Sequence, residues 1–103
     1  MNVTLQYFDG CPNWQVADEH LKQALAACGS TDAMIEYQRV ETAEEAERLG
    51  FTGSPTVLVD GRDPFAVAGA PAGLACRVYP TPDGIAGSPT VDQLIDVLMG
   101  SRR

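Results

Sequence analysis

Residues 53–61 read GSPTVLVDG, from Gly53 to Gly61. Thr56, Val57, Leu58 and Val59 are β-branched or apolar on both faces, which predicts an interior strand, and Asp60-Gly61 ends it. The pentapeptide Gly-Ser-Pro-Thr-Val recurs at 87–91 with no similarity beyond it, so it is not a structural repeat. In that second copy Pro89 precedes a helix cap. In the first copy Pro55 runs straight into the strand, and so has a different task.

Working outward, Thr42 with Glu45 three residues later forms a capping box that opens a short helix closed by Gly50. Before it, Met34 to Val40 is half polar, as an edge strand is. Val3 to Phe8 alternates, with Val3, Leu5 and Tyr7 on one face and Thr4, Gln6 and Phe8 on the other. From Asn13 the period changes: Trp14, Ala17, Leu21, Leu25 and Cys28 make one helical stripe that ends at Gly29. Pro12 suits the first turn of that helix, where its missing N–H has no partner to lose. Downstream, residues 62–74 are rich in Gly, Ala and Pro and form the longest irregular stretch; loops of this length are often functional. Cys76 to Tyr79 reads as a fourth strand and Pro80 to Gly87 as a turn-rich link. Thr90 then caps a helix with Gln93 in the box position and Val91, Leu94, Ile95 and Leu98 as its apolar stripe. The order is β-α-β-α-β-β-α.

The length of 103 residues predicts a single domain over 1–100 with a short tail at 101–103. Fourteen acidic residues against seven basic ones give a net charge of −7, which disfavours nucleic acid and anionic membrane surfaces as partners. Glu41, Glu44, Glu45 and Glu47 read as a solvated helix face. No apolar run approaches the roughly 18 residues of a membrane span, and the first residues do not read as a signal peptide, so a cytoplasmic protein is expected. The three cysteines, Cys11, Cys28 and Cys76, are odd in number and contain no C-x-x-C pair. They predict neither a disulfide framework nor a zinc site, and no cofactor is expected.

The segments YFDGCPNW (7–14) and ERLGFTGSPTVLVDG (47–61), followed by a last helix after a glycine, are similar in order to the thioredoxin superfamily. That resemblance covers most of the chain. It implies a thioredoxin-like α/β fold with a central four-stranded mixed sheet flanked by helices, and a cis bond between Ser54 and Pro55. It also implies a third strand antiparallel to the first, which brings Pro55 beside Cys11. A cis X–Pro bond leaves the backbone of Ser54 available to hold an extended substrate or mixed-disulfide chain by strand-like hydrogen bonds.

Cys11 falls at or just before a helix N-terminus, where unpaired N–H groups and the dipole favour a thiolate. Cysteines so placed have pKa values of roughly 3.5–7.5; Asp9, a nearby negative charge, moderates the effect. Where a dithiol thioredoxin has its second cysteine, three residues on, this chain has Trp14. A mixed disulfide at Cys11 therefore needs an outside thiol, from glutathione or another protein, or Cys76, to resolve it. Trp14 either shields the thiol or contacts a ligand, or it belongs to the core through its place on the helix stripe.

Two readings of Cys76 stand. It is a second sulfur that resolves a disulfide or grips a soft metal with Cys11, or it is a small apolar strand residue. Pairing of 75–79 with 56–60 as a hairpin sets Cys76 near Val59, ~13 Å from the Pro55 end, too far for a bond. The long 62–74 loop also permits a shifted register. Cys28 reads as core. His20 lies nine residues past Cys11, about half a helical rotation away, and reads as a surface residue, not as the base for that thiol.

Three functions follow. The first is thiol–disulfide exchange, with Cys11 and Cys76 as catalytic candidates and Pro12, Trp14, Ser54 and Pro55 as the substrate-binding surround. Its partner is a protein or low-molecular-weight thiol or disulfide. The second rests on a looser resemblance to the alkylmercury lyases, whose two distant cysteines Cys11 and Cys76 (in ACRVYPT) resemble; it implies capture of a soft metal such as mercury by two thiolates. That family has an aspartate where Trp14 stands. The third is a non-catalytic binding module with an inert Cys11.

Overall fold

A computed structural model of the chain describes residues 2–29 and 33–101. It is a mixed α/β structure. β1 (Val3–Tyr7) leads into α1 (Asn13–Ala27), β2 (Ile35–Arg39), α2 (Ala43–Leu49) and β3 (Thr56–Val59). After the long loop come β4 (Tyr79–Thr81), β5 (Gly84–Ala86) and α3 (Val91–Ser101). The helix thus reaches into the tail expected at 101–103, whose last two residues lie outside the described ones. Among the described residues no helix is long and apolar enough to cross a membrane.

The sheet differs from the expectation in size and order. It has three strands in the order β2-β1-β3, with β1 parallel to β2 and antiparallel to β3. β1, not β3, is therefore the interior strand, and the apolar run at 56–59 lies at an edge. The expected fourth strand is absent from this sheet. The backbone around Cys76 meets the chain just before β3 in an isolated parallel bridge between Ser54 and Cys76. β4 pairs instead with β5 in a separate hairpin, turning through Pro82-Asp83, where Thr81 Oγ1 accepts from the Asp83 N–H. Pro-Asp-Gly carries the turn chemistry for this, with Gly84 at a positive φ of 113°.

Local signals account for the helices. Thr42 Oγ1 accepts the Glu45 N–H at 3.1 Å, and Gly50 closes α2 in the left-handed region at φ 68°. At α3 the box is reciprocal, Thr90 Oγ1 accepting from Gln93 N–H and Gln93 Oε1 from Thr90 N–H. One face of the sheet (Val3, Leu5, Val57, Val59) packs on Ala17, Leu21, Ala24 and Leu25 of α1 and on Leu94 and Leu98 of α3. Burying each leucine stabilises by about 1.5–3 kcal/mol relative to leaving it in water. Val40, Ala46 and Phe51 form a second, smaller cluster beneath α2. The packing of α1 on the sheet sets the position of its first turn, and so of Cys11.

Candidate functional site

Cys11 sits between β1 and α1, with Pro12 as the residue before the first helical turn. Its backbone N–H donates to Phe8 O at 3.2 Å, which closes the turn. Ser54–Pro55 is cis, and the antiparallel β1–β3 register brings this corner to Cys11, whose Sγ lies 3.6 Å from the Ser54 carbonyl oxygen. Cys11 is fully buried.

Cys76 completes the site. It is disulfide-bonded to Cys11 with the two Cα atoms 5.7 Å apart, inside the usual span for such a bond. The hairpin register that kept it ~13 Å away does not form. Instead, residues 75–77 lie against Ser54 in the manner of an added strand: Ser54 N–H donates to Ala75 O and Arg77 N–H donates to Ser54 O, each at 2.8 Å. The Ser54 backbone expected to be free for a substrate is occupied by the chain itself. Gly53 makes the approach possible. At its φ of 137° a Cβ would sit 2.9 Å from Arg77 Cβ and 3.1 Å from Ala75 O.

Arg77 anchors this segment. Its buried guanidinium donates to Asp63 Oδ2 at 2.7 Å, to Thr56 Oγ1 at 3.2 Å and to the Phe65 carbonyl, and it lies over the Tyr79 ring. The desolvation cost of the cation is offset by a carboxylate and two further acceptors. Tyr79 donates its hydroxyl to Pro55 O, and burial holds its phenol well above the usual tyrosine range. Thr56 Oγ1 in turn donates to Gly53 O at 2.6 Å, so the Arg77 cluster is joined to the Ser54–Pro55 corner by direct bonds.

Compared with known proteins, the chain matches no family model, no curated protein and no solved structure. The site must stand on its own geometry.

The other candidates divide. Pro12 is exposed beside Cys11 and Pro55 is buried at the corner. Trp14 stacks on Tyr7 with ring centroids 4.3 Å apart and packs against the main core, in keeping with its place on the helix stripe. Asp9 forms an exposed ion pair with Arg39 at 2.7 Å, and the same arginine also pairs with Glu41. Cys28 packs against the core. His20 is only half exposed; its Nδ1 lies 2.8 Å from Pro89 O and ties α1 to the start of α3. Gly53, Asp63, Arg77 and Tyr79 were not among the expected site residues. For Asp63 and Arg77 a faint signal was present: between Arg62 and Tyr79 they are the only charges, an opposite pair in an otherwise uncharged stretch.

Proposed function

We propose that the chain is a thioredoxin-like thiol–disulfide exchange protein whose working unit is the Cys11–Cys76 pair. The observation that carries this is the pairing of two cysteines separated by 65 positions, one at the start of a helix and the other on a loop, beside a cis-proline corner. The position of Trp14 needs no second cysteine, because Cys76 supplies the second sulfur from another part of the chain. In the reaction an outside thiolate attacks one sulfur of the pair, the other leaves as a thiol, and a second thiol releases the outside group as its disulfide. Two thiols are oxidised and the pair gains two electrons and two protons. The reverse sequence reduces an outside disulfide.

Reduction of glutathione disulfide by the dithiol protein, followed with glutathione reductase and NADPH, tests this. Turnover that disappears in both Cys11→Ser and Cys76→Ser is expected. Equal turnover in the wild type and the double variant overturns the proposal and leaves the inert binding module.

A second reading uses the same two sulfurs when reduced. Two thiolates held this close suit a soft, two-coordinate ion such as mercuric ion. The donors this reading uses are the two sulfurs. Mercuric-ion affinity that falls in each single cysteine variant supports this reading; affinity retained in both removes it.

A further inference from the structure

The two sulfurs are not equivalent, and the seat beside them is already filled. Cys11 is fully buried while Cys76 is exposed, so the disulfide joins an inner residue to an outer one. Resting on the thiol–disulfide reading above, we propose that exchange begins at Cys76, that Cys11 is the inner resolving sulfur, and that the exchange partner is a low-molecular-weight thiol or disulfide, not an extended peptide.

Three observations carry this. First, a nucleophile must approach the sulfur it attacks, and Cys76 is the residue of the pair open to solvent. Second, the inner sulfur faces the Ser54 carbonyl at 3.6 Å, an acceptor that receives an S–H and repels a thiolate. Cys11 is thereby a weak nucleophile toward outside reagents. It is still a fast one toward Cys76, because proximity replaces a bimolecular encounter. Third, an extended peptide docks at such a corner by exchanging backbone hydrogen bonds with it, and the Ser54 N–H and C=O are both committed to Ala75 and Arg77. Those bonds are held by the Arg77–Asp63 pair and by the close approach at Gly53, none of which requires the sulfur–sulfur bond. In the dithiol state the segment therefore keeps the seat filled and Cys11 covered. A small thiol needs no seat, only the outer sulfur.

The steps balance. A thiolate RS⁻ attacks Cys76 Sγ, the Cys11–Cys76 bond breaks, and its electron pair goes to Cys11 Sγ, which takes a proton from solvent and donates it toward Ser54 O. A second RS⁻ attacks the sulfur of the R group, releasing RSSR and the Cys76 thiolate. In reverse, the Cys76 thiolate attacks RSSR and frees one RS⁻, and Cys11 then attacks Cys76 Sγ and frees the other.

The three cysteines fall on separate tryptic peptides, 1–22, 23–39 and 63–77, so an adduct is located directly by mass. Oxidised wild-type protein is mixed with glutathione, quenched with acid at short times and mapped. Glutathione on peptide 63–77 is expected; glutathione on peptide 1–22 overturns the assignment. In the reduced single variants, Cys11→Ser should accumulate a stable adduct at Cys76. Cys76→Ser should react about 100-fold more slowly, since Cys11 must wait for local opening. Equal rates overturn the order of attack. A cysteine-containing decapeptide disulfide should react no faster than glutathione disulfide, and a peptide faster by about tenfold or more, as pre-binding would make it, overturns the partner class. Absence of any exchange in the wild type removes the redox reading itself, and this assignment with it.

Discussion

Reducing the Cys11–Cys76 bond should cost the folded protein about 4 kcal/mol. The two residues are 65 positions apart, so the bond closes a loop through most of the chain. Loop-closure entropy for that length is about 14 cal/mol/K, or roughly 4 kcal/mol at room temperature. A domain of this size has about 5–15 kcal/mol in all, so the dithiol form stays folded with about 1–11 kcal/mol left. Urea unfolding followed by far-ultraviolet circular dichroism measures it. At a slope of about 1–2 kcal/mol/M the midpoint should fall by roughly 2–4 M when a phosphine reductant is added. Cys76→Ser should match the reduced wild type and ignore the reductant, whereas Cys28→Ser should keep the full response. The same quantity has an independent measure. By the thermodynamic cycle, the native dithiol should close in a glutathione buffer about 10³-fold more readily than the unfolded chain, since each 1.4 kcal/mol is tenfold. Identical midpoints with and without reductant would refute the pairing, and a large midpoint shift without the matching closure ratio would refute its entropic origin.

Asp63→Ala removes the counter-charge of buried Arg77 and should destabilise by about 3 kcal/mol, with Asp63→Asn costing less; thermal melts should show a loss of roughly 12–24 °C for the alanine variant. Gly53→Ala places a methyl against Arg77 and Ala75 and should cost about 1–3 kcal/mol while exposing the Ser54 and Arg77 amides to hydrogen exchange. Tyr79, held protonated chiefly by burial, stabilises the fold fully below the ordinary tyrosine pKa of about 10 and progressively less above it. Stability should therefore fall with rising pH above ~10, and Tyr79→Phe should flatten that slope by up to ~1.4 kcal/mol per pH unit; an unchanged slope would contradict the burial of the phenol.

Much of the frame was legible because its signals are local. The stripe from Trp14 to Cys28, the boxes at Thr42 and Thr90 and the stop at Gly50 each need only a few neighbouring residues, and each produces the helix or cap expected of it. The antiparallel approach of 56–59 to the first strand followed from the resemblance to the thioredoxin superfamily, and the register pairs Leu5 with Val57. What escaped is non-local. Of the strand expected at 76–79 only Tyr79 joins one, and that strand runs on into the stretch expected as a turn-rich link; Arg77 is drawn to Asp63, and the segment takes no fourth place in the sheet. The distance between Cys11 and Cys76 thus depended on one ion pair fourteen residues wide, which no period or propensity encodes.

That dependence explains how a cysteine pair is assembled without C-x-x-C. Placing both sulfurs on one helical turn makes their proximity a property of local sequence. Here only Cys11 is positioned that way, by the turn at Phe8 and the packing of α1. Cys76 is positioned by Arg77, whose hydrogen bonds reach Asp63, Phe65 and Thr56 at once. The disulfide and the Arg77 cluster act on different states: the first mainly limits the unfolded chain, the second holds the native segment against Ser54. Neither substitutes for the other. On the proposed reading, the cluster keeps the segment over Cys11 when the bond is open, whereas without the cluster the bond alone would tether a loop with no fixed register and Cys76 would lose its alignment with Cys11.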